Sequence, residues 1–379
     1  MKSNQYICKE FADLDKSLAT ISQSKPNLIF VMASRNWFEK YDLPKIYKQN
    51  PDCVVIGCST AGEISKNGVS DNTLVLSAIS FNKPIFKTAF EKIDTMSDSF
   101  KAGKALAKKF EKQRVSSIFV IGKGLGINGS KVVEGMQSEV NKDTVIAGGL
   151  AGDGANFEKT FVLLNDQVTS DGVAALAVYD KSVNIFTGSA GGWKPFGPIR
   201  KVTKSTENIL YTIDDKPALQ VYKEYLGDQA AKLPGSGLLF PLEVLDNETQ
   251  TTGTIRTILA IDEKDGSITF AGEIGQGKLC RLMHTKNDGL VAGARGAAEM
   301  CLKNTPVGDD NAFAVLISCV GRKLVMNDEV DEEVDAVKEV LHLKNNLIGF
   351  YSYGEISPGD EICKLHNQTM TISYFKDAV

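Results

Sequence analysis

The chain has 379 residues, 42% hydrophobic and 24% charged, with 43 basic and 47 acidic side chains and a formal net charge of −4. That length exceeds one ordinary hydrophobic core, so two or more lobes are expected, and the dispersed charge excludes a nucleic-acid footprint. There is no run of about eighteen apolar residues, and the N-terminus MKSNQYICKEFADLDKSL carries acids, so neither a membrane span nor a signal peptide is expected and the chain reads as cytoplasmic.

The seven cysteines form no C-x-x-C array, and those in DCVVIG (Cys53) and VLISCV (Cys319) sit in apolar, strand-like runs. They read as reduced core thiols.

An internal repeat organises the chain. Residues 28–81 run as an apolar strand (LIFVMAS), a helical stretch near 36–49, the strand CVVIG, the turn CSTAGEIS and the strand NTLVLSAISF. A weaker copy follows: IFVIG, the helix SKVVEGMQSEV, TVIAGG, the turn LAGDG and TFVLL. Gly124, Gly126 and Gly129 lie between its strand and helix as G-x-G-x-x-G, the context of a dinucleotide fingerprint. The acid that a fingerprint needs about twenty residues on is not cleanly placed, so a Gly-rich strand-to-helix connection is the expectation.

The Gly/Pro-rich segment 188–198 marks a boundary, dividing the chain into residues 1–195 and 196–379. Beyond it PALQVYKEYLG predicts a helix with Pro217 in its first turn and Gly227 as its C-cap, ITFAGEIGQG at 268–277 reads as a degenerate fourth copy, and the helix over 288–301 is lined by Ala294, Ala297, Ala298 and Cys301.

Residues 313–375 repeat the first order. FAVLISCV is a strand, DEVDEEVDAVKEVL a helix with Val330, Val334, Val337 and Leu341 at helical spacing, and NLIGF leads through YSYGEIS to HNQTMTISYF. The turns 56–65 and 348–357 share Ile-Gly, four residues, then Gly-Glu-Ile-Ser, and each is followed by an asparagine, Asn72 or Asn367, that opens a strand. The expected fold class is α/β: two lobes of mixed β-sheet with flanking helices, built from a strand–helix–strand–Gly turn–strand unit.

Gly-rich turns after strands are where α/β sheets bind ligands. The candidate ligand-binding residues are therefore Cys58, Ser59, Thr60 and Glu63 from the first turn, Asp153 from the middle one, and Tyr351, Tyr353, Glu355 and Asn367 around the last. His366 opens an apolar strand face and is the first candidate for haem iron, with His284 in reserve and His342 on the surface. Cys363 and His366 lack a second pair at zinc-site spacing. No Walker A, G-x-S-x-G or H-E-x-x-H sequence occurs, so an enzyme is not expected.

GCSTAGEI, AGGLAGD, DDKPALQVYKEYLG, SCVGR, GFYSYGEISP and LHNQTMT, in that order, resemble the signature segments of FIST proteins from about residue 27 to the end. The resemblance implies an N-terminal and a C-terminal FIST domain and a ligand-binding signal-transduction module. One branch of that family binds haem, senses nitric oxide, and acts in trans on a histidine kinase or a cyclic-di-GMP signalling protein. The resemblance thus implies haem as cofactor; charge and hydropathy give no expectation of a nucleic acid or membrane partner, and self-association remains open. The alternatives are a haem-free sensor of a small polar metabolite such as an amino acid, with Glu63 and Glu355 holding an ammonium, or an enzyme that uses a nucleotide or a Cys58 nucleophile.

Overall fold

The computed structural model describes residues 1–250, 253–303, 305, 312–343, 345–359 and 362–378. Its central feature is three copies of one unit, in the order edge strand, helix, strand, helical segment, strand, hairpin, strand. Each copy places its two middle strands side by side in parallel: Leu28–Ala33 with Val54–Ser59, Val115–Gly122 with Val145–Leu150, and Ala312–Cys319 with Leu347–Ser352. The last strand of the copy and then the edge strand add antiparallel on one side.

The hairpin does not stay with its own copy. That of the first copy (Glu63–Ser65, Gly68–Ser70) extends the third sheet beside Leu347–Ser352, and that of the second (Val162–Leu164, Gln167–Thr169) extends the first. The hairpin of the third copy (Gly354–Pro358, Cys363–His366) extends the second. The exchange closes on itself, giving three six-stranded mixed sheets of identical order.

The parallel strands are buried on both faces, which is why they read as continuous apolar runs. The copies meet at an aromatic core: Phe30 lies 5.3 Å from Phe119, 6.2 Å from Phe313 and 5.7 Å from Phe375, centroid to centroid. Gly57, Gly148 and Gly349 mark one position in all three, since a Cβ there would sit 1.9, 1.8 and 2.1 Å from the carbonyl oxygens of Val31, Val120 and Leu316 on the paired strands.

Residues 194–284 are inserted in the third copy, between its edge strand Val183–Ala190 and its helix Asn287–Leu302. They form a nine-stranded antiparallel sheet with the helix Ala218–Leu226 and a core of their own around Val202, Leu210, Tyr222, Phe270 and Leu282. The segment 268–277 is therefore not a fourth copy; Ser267–Phe270 is a strand of this sheet. The boundary at 195/196 falls at the entry to the insertion, and the span 196–379 holds both the insertion and most of the third copy.

The helix expected near 36–49 is two short ones, Arg35–Lys40 and Lys45–Lys48, with Pro44 at the second N-cap. Ala218–Leu226 runs between Pro217 and Gly227 as expected, with Gly227 at φ 53°. Asn287–Leu302 buries Ala294, Ala297, Ala298 and Cys301, and Gly188 lets it approach, since a Cβ there would stand 1.9 Å from the Ala297 carbonyl oxygen. Asp331–Leu341 buries Val334, Val337 and Leu341 and ends on His342, which is exposed in the left-handed region. No helix among the described residues is long and apolar enough to cross a membrane.

Candidate functional site

The Gly-Glu-Ile turns open the exchanged hairpins, and their glutamates pin them. Glu63 is fully buried and accepts hydrogen bonds from the Thr60 hydroxyl, the Thr73 N–H (3.0 Å) and the Thr73 hydroxyl (2.7 Å). Glu355 repeats this with the Ser352 hydroxyl (2.6 Å) and the Thr369 N–H and hydroxyl (3.2 and 3.0 Å). Burial outweighs these donors and raises the carboxyls to about 7 and about 8. With their oxygens engaged in this way, the two side chains tie hairpin to strand.

The repeat also corrects one alignment. Asn72 stands two residues before the strand Leu74–Ser80 at φ 60°, and the residue in that place before Met370–Asp377 is Gln368 at φ 62°. Asn367 is thus not the counterpart of Asn72.

Asp153 organises a loop. Its carboxylate accepts the N–H groups of Phe157, Glu158 and Lys159 at 2.9–3.0 Å and the Tyr353 hydroxyl, and the Tyr353 ring stacks on Phe157 at 4.5 Å. Thr60, Glu63 and Asp153 border a polar hollow of about 370 Å³ with Arg35, whose guanidinium lies 3.5 Å from Asp153. Tyr351 donates to Glu333 (2.6 Å), which also pairs with Arg322 at 2.6 Å; all three are fully buried. Ser59 accepts the Phe161 N–H at 2.8 Å, and Cys58 lies in the core against Met32, its thiol pushed well above the ordinary range by burial. Tyr351, Ser59 and Cys58 line neither this hollow nor the cavity described next.

A second cavity, of about 530 Å³, lies between the three-copy body and the insertion. The body supplies Gly124–Ile127, Leu150, Phe157, Val320, Tyr353 and Asn367; the insertion supplies Leu238, Thr257–Leu259 and Phe270. None of its lining residues carries a formal charge. Four of the ten large hydrophobic side chains exposed on the described surface stand on its wall: Met96, Phe157, Leu259 and Leu324. Such clustering marks an apolar mouth, unlike scattered surface leucines.

Asn367 is one of four polar side chains on the wall, with Asn208, Thr257 and Tyr353. It is 1% exposed, and its amide oxygen and nitrogen are both buried without a hydrogen-bond partner, as is the Thr257 hydroxyl. Buried polar groups are almost always satisfied, so an amide with neither end paired beside a cavity marks a place where a ligand or a water would find a hydrogen-bonding partner. Sequence pattern placed Tyr353 and Asn367 among the candidates and drew attention to Gly124 and Gly126. It missed Thr257, Leu238 and Phe270, because an antiparallel insertion carries no signal of what it covers.

The residues do not fit a haem held by histidine in this cavity. His366 pairs across the strand with Glu355 and is held down to about 4 by burial and by Arg256; His284 stacks on Phe240 at 5.4 Å beside a separate hollow of about 310 Å³. Neither lines the apolar cavity, and its one thiol, Cys319, is pushed up by burial. The G-x-G-x-x-G segment does reach the cavity.

The FIST N domain model matches residues 27–216, and the FIST C domain model matches residues 218–358. An uncharacterized protein of Methanocaldococcus jannaschii is 24% identical over 354 residues, covering 83% of this chain; the chain spans 66% of that protein's length. The solved cyanuric acid hydrolase of A. caulinodans aligns over 100% of this chain and 99% of its own at 6% identity, with a TM-score of 0.35, too low to bear on function.

Proposed function

The chain belongs to the FIST family of signal-transduction sensors, and from that premise we propose that it senses a small molecule in the cavity between the three-copy body and the insertion. The observation that carries this is the pair of unpartnered amide atoms of Asn367 on the wall of a 530 Å³ cavity that both parts build. The volume lies within the roughly 300–1,000 Å³ typical of small-molecule sites. A ligand there touches both parts at once, so occupancy changes the free energy of holding the insertion against the body, which is the differential interaction a sensor needs. The output acts on a separate protein in the cytoplasm, a histidine kinase or a cyclic-di-GMP signalling protein. The buried, unpaired cysteines support a reducing compartment.

The test uses N-phenyl-1-naphthylamine, a neutral dye that fluoresces in apolar pockets. Saturable binding to one site, abolished by Leu238→Trp in a protein whose melting is unchanged, supports the reading. No saturable binding to the wild type, or binding indifferent to Leu238→Trp, overturns it.

A further inference from the structure

Resting on that cavity as the sensory site, we propose that its ligand is an uncharged molecule with an apolar body and an amide whose N–H and C=O lie on one edge, as in a lactam or cyclic dipeptide. The argument starts from what the wall lacks. No charged residue lines it, so an ionised carboxylate, ammonium or phosphate would enter uncompensated at large cost. The free amino acids considered from sequence are zwitterions and do not suit it.

The hydrogen-bonding groups of the wall narrow the choice further. The Tyr353 hydroxyl is engaged with Asp153, and the Asn208 amide nitrogen donates to the Phe270 carbonyl at 2.8 Å. Among the wall's fully buried polar groups, Asn367 and the Thr257 hydroxyl have no partner. A carboxamide presents one acceptor and one donor side by side. Its complement is a group with a donor and an acceptor at the same spacing, which a cis amide, lactam or primary carboxamide offers. A neutral carboxylic acid has the same edge but ionises at neutral pH and is then refused by the wall.

Position agrees with chemistry. Asn367 is 1% exposed, whereas Phe157 and Leu259 are 44% and 46% exposed. The amide head of the ligand therefore sits deep, and its apolar body extends toward Phe157, Leu259, Met96 and Leu324. Those exposed side chains are covered when the ligand is bound.

The test is displacement of N-phenyl-1-naphthylamine by cyclo(Leu-Phe), with linear Leu-Phe as the charged control. The expected result is displacement by the cyclic compound and none by the zwitterion. In Asn367→Leu, which keeps the shape of the side chain without its polar atoms, the cyclic compound should compete at least tenfold less well once its inhibition constant is corrected for the variant's own dye affinity, measured directly. If the cyclic compound fails to displace the dye, or displaces it equally from Asn367→Leu, the amide assignment is overturned and the cavity stands. If the dye itself does not bind, the cavity reading fails first.

Discussion

The Glu63 carboxylate receives both the backbone N–H and the side-chain hydroxyl of Thr73, and Glu355 holds Thr369 by the same two bonds. Each pair fastens the turn before an exchanged hairpin to the start of the strand after it. Because burial raises both carboxyls, to about 7 and about 8, the folded protein holds protons there that the unfolded chain releases near pH 4.3. Their contribution to stability is complete below the unfolded value and is lost as pH rises through 7 and 8. His366 acts oppositely: held down to about 4, it contributes above about 6.5 and its contribution is lost as pH falls toward 4. Between pH 6.5 and 8 the glutamates should contribute a loss of roughly 2 kcal/mol in urea unfolding. Above pH 8 the unfolded chain's thiols ionise while the seven buried cysteines stay protonated, which steepens the loss further. In Glu63→Gln/Glu355→Gln that slope should flatten; an unchanged slope would assign it elsewhere.

Asn367→Leu should stabilise the protein. It removes two buried polar atoms that have no partner, and the expected gain in urea unfolding is about 1–3 kcal/mol. A loss of stability would mean that the amide is satisfied in solution. Gained stability with lost ligand recognition is the usual trade at a functional site.

Arg322 and Glu333 are both fully buried, and Arg322 also donates to the Gly191 and Leu290 carbonyl oxygens at 2.7 and 2.8 Å. Arg322→Met should cost about 3–5 kcal/mol, because Glu333 is left as an uncompensated buried charge. The double variant Arg322→Met/Glu333→Leu should recover part of that loss, measured as a double-mutant cycle.

No cysteine should react quickly in the native protein. All seven are buried, and burial pushes Cys58 far from thiolate formation. A thiol reagent such as dithionitrobenzoate should label the chain only after denaturant is added. Fast, stoichiometric labelling at Cys58 would revive the enzyme reading.

Haemin should give no one-to-one Soret band that depends on His366 or His284, since neither lines the apolar cavity. A saturable band lost in His366→Ala or His284→Ala would restore haem as the cofactor.

The repeat was legible because strand and turn chemistry reappears in order: LIFVMAS, CVVIG and Gly-Glu-Ile have counterparts at 313–357. Hairpin exchange was not legible, because apolar alternation shows that a strand is paired and not with which copy. That is why Glu63 and Glu355 resembled ligand groups: a carboxylate that serves a donor from a distant strand looks, along the chain, like one awaiting a ligand. Asn367 was noticed through its alignment with Asn72, which the structure does not bear out, and its place on the cavity depends on the fold of the insertion.

The hairpin exchange sets an order of events during synthesis. The segment Glu63–Ser70 leaves the ribosome early, yet its partner Leu347–Ser352 is made only near the end of the chain, almost three hundred residues later. Until then the hairpin has its outer edge unpaired and its glutamate unburied, a state open to pairing with another chain. Two nascent chains on one messenger that traded these hairpins would leave the ribosome as a domain-swapped dimer, the misassembly to which multi-copy folds are prone.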